Sequence, residues 1–163
     1  MVREQLDQGR VRTTVPNGLS VLSEHLPGLR SAAVGIWVRS ASGHEEVGQM
    51  GIAHLLEHMV FKGAGGRTAR AIVEDIEAAG GHLNAATGYE RTSFQTRTLA
   101  GGLPLAMRVT ADLVLRPTMD AGDLVREKQV VGQEIAEAAD ASDDLVFEMA
   151  QTLAFTGQPL GRP

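Results

Sequence analysis

An α+β domain is what this sequence predicts, with an antiparallel or mixed sheet and helices packed on it. Three observations lead there. Short β-prone runs punctuated by turn residues occupy the chain up to Val38 and recur at His82–Thr87 and Thr92–Leu99. Longer segments with helical apolar spacing fill most of what remains. The chain has 163 residues, 43% hydrophobic and 21% charged, enough for one ordinary core. The expectation is a single domain over 1–163, with the polar residues 1–10 frayed.

Val11–Thr14 and Leu19–Glu24 read as strands joined by the turn Pro16-Asn17-Gly18. The apolar run Ala32–Val38 follows a Pro27-Gly28 turn and reads as a buried strand. Ser40–Gly48 is rich in Gly, Ser and Glu and reads as a loop before a helix at about Gly51–Phe61. The glycines of Lys62–Arg67 follow a helix and lack the Walker order, so they do not suggest a phosphate cradle. Thr68–Ala79 reads as a helix stopped by Gly80-Gly81. Two strands follow, then an amphipathic helix over Leu103–Leu115 ended by Arg116-Pro117. Asp120 or Asp123 caps a long helix carrying Glu127 and Glu134, and Ser142 caps a last helix reaching about Phe155.

Composition narrows the function. A formal charge of −5 speaks against a nucleic-acid surface. No apolar run approaches membrane-spanning length, and the N-terminus is too polar for a secretory signal. With zero cysteines there is neither disulfide nor thiolate chemistry, and the expected compartment is the cytoplasm.

Chemistry concentrates at His54-Leu55-Leu56-Glu57-His58. On a helix, residues four apart share a face, so His54 and His58 can hold one metal ion, and Glu57 reaches toward the same ion. This order inverts the commoner zincin arrangement. Neutral imidazoles bind zinc without cancelling its charge, so a bound water is acidified and a carboxylate that is not a ligand can take its proton. A zinc site needs a third protein ligand. His25, His44 and His82 fall on strand or loop segments, and the best candidate is Glu134, with Glu127, Glu137 and Glu148 competing.

The segments His54–Phe61, Gly81-His82-Leu83-Asn84-Ala85 and Glu127 through Glu134-Ile135 resemble the pitrilysin/insulinase zinc peptidases. Within that family the resemblance is to the branch of the mitochondrial processing peptidase β subunit and its bacterial relatives. It runs from about Thr13 to Gly161. The fold it implies is a metallopeptidase half-domain of the processing-peptidase type. It selects Glu134, 76 positions past His58, as third ligand to one Zn2+ beside His54 and His58. It also implies Glu57 as general base and Glu127 as an acidic group behind the ligands. Asn84 and Ala85 match a sheet edge that receives an extended peptide as an added strand. Phe61 matches an aromatic walling the pocket for the residue after the scissile bond. Ala86 departs from the family, which usually has an aromatic there, so the resemblance does not carry over the pocket's shape.

The function expected is that of a zinc-dependent endopeptidase acting on extended peptides. The alternative is a non-catalytic assembly or peptide-binding fragment that needs a second half. The expected partners are a peptide substrate and either a second copy or a separate half-chain completing the clamshell, with no nucleic acid and no membrane. Because family members are much longer, the chain alone is expected to bind zinc but cleave poorly.

Overall fold

Residues 1–7 and 9–162 are described by a computed structural model, in two units, Met1–Arg30 and Ser31–Pro163. The first unit is a three-stranded antiparallel sheet in the order β1 (Val2–Asp7), β2 (Arg10–Thr14), β3 (Ser20–Glu24). The expected hairpin is therefore present, with Thr14 opposite Ser20 across the Pro16-Asn17-Gly18 turn. Val2–Asp7 differs from the frayed end that the polarity of residues 1–10 predicts, because it pairs with β2; at Gln8 that expectation falls outside the described residues. A backbone ladder needs no apolar side chain. The pairs Glu4–Arg12 and Asp7–Arg10 also place opposite charges within 3.6 Å and 3.3 Å.

The second unit begins with β4 (Ser31–Val38) and runs through a loop with two 3-10 turns into α1 (Ile52–Val60). A small hairpin, β5 (Gly63–Ala64) and β6 (Arg67–Thr68), leads to α2 (Ala69–Ala78). Then come β7 (His82–Thr87), β8 (Thr92–Leu99), α3 (Leu103–Leu115), α4 (Ala121–Asp140) and α5 (Ser142–Ala154). The sheet is antiparallel in the order β4-β8-β7, so β8 is central and β7 forms an edge. Among the described residues, small antiparallel sheets with five α-helices make the fold α+β.

One face of the sheet packs under α2 and α3. The core gathers Val60, Ala64, Ile72, Ile76, Phe94, Val109 and Leu113. The buried face of β8 is largely threonine, and each hydroxyl finds a partner. Thr96 and Thr110 share a hydrogen bond of 2.7 Å, Thr98 donates to the Ala79 carbonyl at 3.0 Å, and Thr92 donates to the Ser40 carbonyl at 3.0 Å. β4 is not the buried strand that its apolar run suggests. Its burial alternates, and Trp37 on the outer face is 57% exposed. An antiparallel sheet covered on one side leaves every second residue outside, whatever its polarity.

Side-chain caps start α2, at Thr68, and α4. Asp120 accepts from the Asp123 N–H at 3.0 Å, which settles the choice between the two aspartates. Gly80, at φ +67, lets α2 end with Gly81 N–H donating to the Ile76 carbonyl and Gly80 N–H to the Glu77 carbonyl. Ser142 is not the cap of α5. It is the first helical residue, with Ala141 at the cap position and no side-chain bond there.

Candidate metal centre

α1 and α4 pack together, and the site lies between them. His54 and His58 stand one turn apart on α1. On α4, Glu127, Val131 and Glu134 follow helical spacing, with Glu127 and Val131 buried. The His54 and His58 Nε2 atoms are 3.2 Å apart, their rings edge to face at 90°. The Glu134 Oε2 atom lies 3.6 Å from the first and 3.5 Å from the second. Three potential donor atoms thus form a nearly equilateral triangle.

That triangle has the dimensions of a zinc site. A tetrahedral ion with nitrogen and oxygen ligands at about 2.0–2.2 Å has ligand–ligand edges of about 3.3–3.6 Å. Two ring lone pairs and a carboxylate oxygen aimed at one another repel unless a proton or cation lies among them. The side chains of His54 and Glu134 are 44% and 43% exposed, so solvent reaches this side of the triangle. The donor set fits a catalytic type of site, with three protein ligands and a fourth position open.

Glu127 stands behind His58. Its Oε2 atom is 3.1 Å from His58 Nδ1 and its Oε1 atom is 2.8 Å from Lys62 Nζ. Burial pushes this carboxyl up, but the Lys62 ammonium and the His58 ring outweigh burial and hold it below the ordinary carboxylate value. An ionised Glu127 accepts from Nδ1–H, which leaves the Nε2 lone pair of His58 facing the triangle.

Glu57 lies outside the triangle. It is half-buried on α1 and lines a cleft of about 320 Å³ with Ala53, Leu56, Val60, Phe94 and Met119. Asn84 is exposed on the edge strand β7, opposite Gln95. Phe61, at the end of α1, and Ala85, on β7, are partly buried and pack against the core cluster. His82 begins β7 and His44 ends a 3-10 turn; neither joins the metal-sized cluster found among the described residues.

Two residues at the site escaped the sequence reading. Lys62, just past α1, holds Glu127; a basic residue after a helix end was the available signal. Glu45 accepts from the N–H groups of Gly51 and Ala53 at the start of α1. It sits eight residues before Ala53, outside the usual local capping patterns, so nothing in the sequence marked it.

Residues 20–163 match the sequence profile described as Insulinase (Peptidase family M16). A protein of Rickettsia bellii named an uncharacterized zinc protease is 42% identical over 147 residues, which is 90% of this chain and 36% of that protein. The mitochondrial-processing peptidase subunit beta of Lentinula edodes is 36% identical over 150 residues, covering 92% of this chain and 32% of the relative. The crystal structure of a protease from Helicobacter pylori superposes with a TM-score of 0.87 at 24% identity, over 94% of this chain and 37% of that one, a likeness of fold. The chain spans about a third of the length of the curated relatives it matches.

Proposed function

This chain belongs to the insulinase family of peptidases, peptidase family M16, and from that premise we propose that it is the catalytic part of a zinc-dependent endopeptidase acting on extended peptides. One observation carries the reading: the triangle of His54 Nε2, His58 Nε2 and Glu134 Oε2, with edges of 3.2, 3.5 and 3.6 Å. The cofactor is one Zn2+, held by those three atoms. Bound there, zinc supplies a Lewis acid that acidifies water and offsets negative charge growing on the substrate carbonyl.

Glu57 is the general base. One of its carboxylate oxygens takes the proton of the attacking water and returns it to the leaving amine nitrogen. Its place on the same helix as both histidines, outside the ligand triangle, supports that role. Glu127 keeps His58 in the tautomer that offers Nε2. The substrate adds as a strand along β7, a sheet edge carrying Asn84 and Ala85, with Phe61 shaping a side-chain pocket. A second half-chain completes the binding clamp. This is supported by the exposed Val146, Phe147, Met149 and Leu153 of α5.

Among the described residues no helix is long and apolar enough to cross a membrane.

The test combines metal analysis with peptide cleavage. One zinc per chain is expected, with chelator-sensitive cleavage of a quenched peptide when the second half is supplied. Glu57→Gln should keep zinc while losing about 10²–10⁴-fold in hydrolysis. Zinc loss from Glu57→Gln comparable to that from His58→Ala would show the base and ligand roles to be misassigned.

A further inference from the structure

We propose that Glu45, in the loop between β4 and α1, is a positioning residue of the metal centre: by clasping the first turn of α1 it sets where His54 stands. The inference rests on the zinc-ligand reading given above.

A helix begins with N–H groups that have no partner within the helix. α1 supplies no cap of its own. Gly51 stands at the cap position in the left-handed region, at φ +89, and the first turn carries no acidic residue. Glu45 fills this gap from outside. Its Oε2 atom accepts from the Gly51 N–H at 2.8 Å and its Oε1 atom from the Ala53 N–H at 2.6 Å. Both oxygens are engaged, on N–H groups either side of Ile52, so the carboxylate fixes the turn in two directions. Its negative charge also suits the positive end of the helix dipole.

The next residue is His54. The two histidine ligands are anchored differently. His58 is 20% exposed and held through Nδ1 by Glu127. His54 is 44% exposed, and among the described residues its polar contacts, to His58 and Glu134, are made by Nε2. Nothing behind its ring corresponds to Glu127 in those contacts, so its position depends on the backbone of the first turn. That turn is where an uncapped helix frays.

Glu45 is itself tied down. Its N–H donates to the Ser42 carbonyl at 3.2 Å and its carbonyl accepts from Arg162 Nη1 at 2.5 Å. The Arg162 carbonyl accepts from the Tyr89 hydroxyl at 3.1 Å, and the Tyr89 carbonyl from the Gly43 N–H at 2.9 Å. The loop is thereby pinned to the β7–β8 turn, which gives the carboxylate a fixed base from which to act on α1.

The experiment compares Glu45→Ala, Glu45→Gln and, as control, the neighbouring Glu46→Ala. Each is read in three ways: zinc affinity by competition with a chromophoric chelator, the visible spectrum of the cobalt-substituted chain, and the urea midpoint. A lost cap corresponds to about a fivefold change in an equilibrium, so Glu45→Ala should weaken zinc binding about fivefold and alter the cobalt spectrum. Glu45→Gln keeps one acceptor oxygen and should fall between Glu45→Ala and the parent, and Glu46→Ala should match the parent. If Glu45→Ala lowers the urea midpoint while zinc affinity and cobalt spectrum stay at parent values, the carboxylate serves stability alone and the inference is overturned. If the alanine variant does not fold, an unchanged affinity and spectrum in Glu45→Gln overturns it equally. His54→Ala separates the two ideas. Parent-like zinc affinity in that variant refutes the ligand reading, whereas zinc loss there beside unchanged Glu45 variants refutes this inference only.

Discussion

Glu134 and Glu127 are both acidic, on the same helix and seven positions apart, and the geometry gives them unequal parts. Glu134 Oε2 forms two of the three edges of the ligand triangle, at 3.5 and 3.6 Å. Glu134→Gln removes the anionic oxygen and leaves two imidazoles and a neutral amide. Changing a group that merely orients a ligand lowers metal affinity about 10–100-fold, so losing a ligand should exceed about 100-fold, or roughly 2.7 kcal/mol. Glu127→Gln belongs at the mild end, about tenfold. The amide oxygen can still accept from His58 Nδ1, and Lys62, whose side chain is 33% exposed, can turn to water. Zinc affinity measured by chelator competition on both variants and the parent checks the order. Equal losses, or a greater loss from Glu127→Gln, would refute the assignment of Glu134 as third ligand.

The remaining predictions concern what holds the site's surroundings. Leu113→Ala, at a fully buried core position, should destabilise by about 2–5 kcal/mol in urea; a loss under about 1 kcal/mol would mean the cavity collapses. Asp112 is buried and accepts from both Arg67, at 2.9 Å, and Arg116. Asp112→Ala should therefore cost about 1–3 kcal/mol, because Arg67 loses one partner but keeps Asp75 and the exposed Arg116 turns to water, and the zinc affinity of the folded chain should not change. Thr96→Val should cost only about 0.5–1.5 kcal/mol, since Thr110 still donates to the Ala106 carbonyl at 2.8 Å; a larger loss would show the two hydroxyls acting as a unit.

The parts legible from sequence are those set by local pattern. β7, β8 and α3 occupy the expected spans because each carries its own periodicity and its own stop, such as Arg116-Pro117 after α3. The pairing of Glu134 with the two histidines was also legible, but only through the resemblance. Spacing left Glu127, Glu137 and Glu148 in competition, and nothing local says which face of a 20-residue helix meets α1. Contacts that join distant segments stayed hidden. Glu45 reaches α1 across eight residues, and the Thr96–Thr110 bond requires knowing that β8 lies beneath α3. The misreadings of β1 and β4 share one cause. In both, side-chain polarity sets neither burial nor order: β1 is held by its backbone ladder, and β4 is apolar on a face that the unit leaves open.

A metal centre built from two helices poses a problem of register. His54 and His58 are fixed relative to each other by one turn of α1, so the ring pair behaves as a single piece, and Glu134 must be brought to it from α4. The triangle's edges differ by only 0.4 Å, between 3.2 and 3.6 Å, while a shift of α4 by one residue along its axis would move Glu134 by about 1.5 Å and about 100° around the helix. Val131, buried between the two glutamates, resists such a shift through packing, and the Lys62–Glu127–His58 chain resists it through charge. Lys62 belongs to the end of the segment that carries the histidines, so this chain ties α4 back to α1 two turns from Glu134. The same contacts that orient His58 therefore also hold the register of Glu134, the proposed third ligand. Glu127 consequently acts at two places, but Glu127→Gln keeps an acceptor for His58 Nδ1 and leaves the Val131 packing intact, so its loss should stay below that of Glu134→Gln.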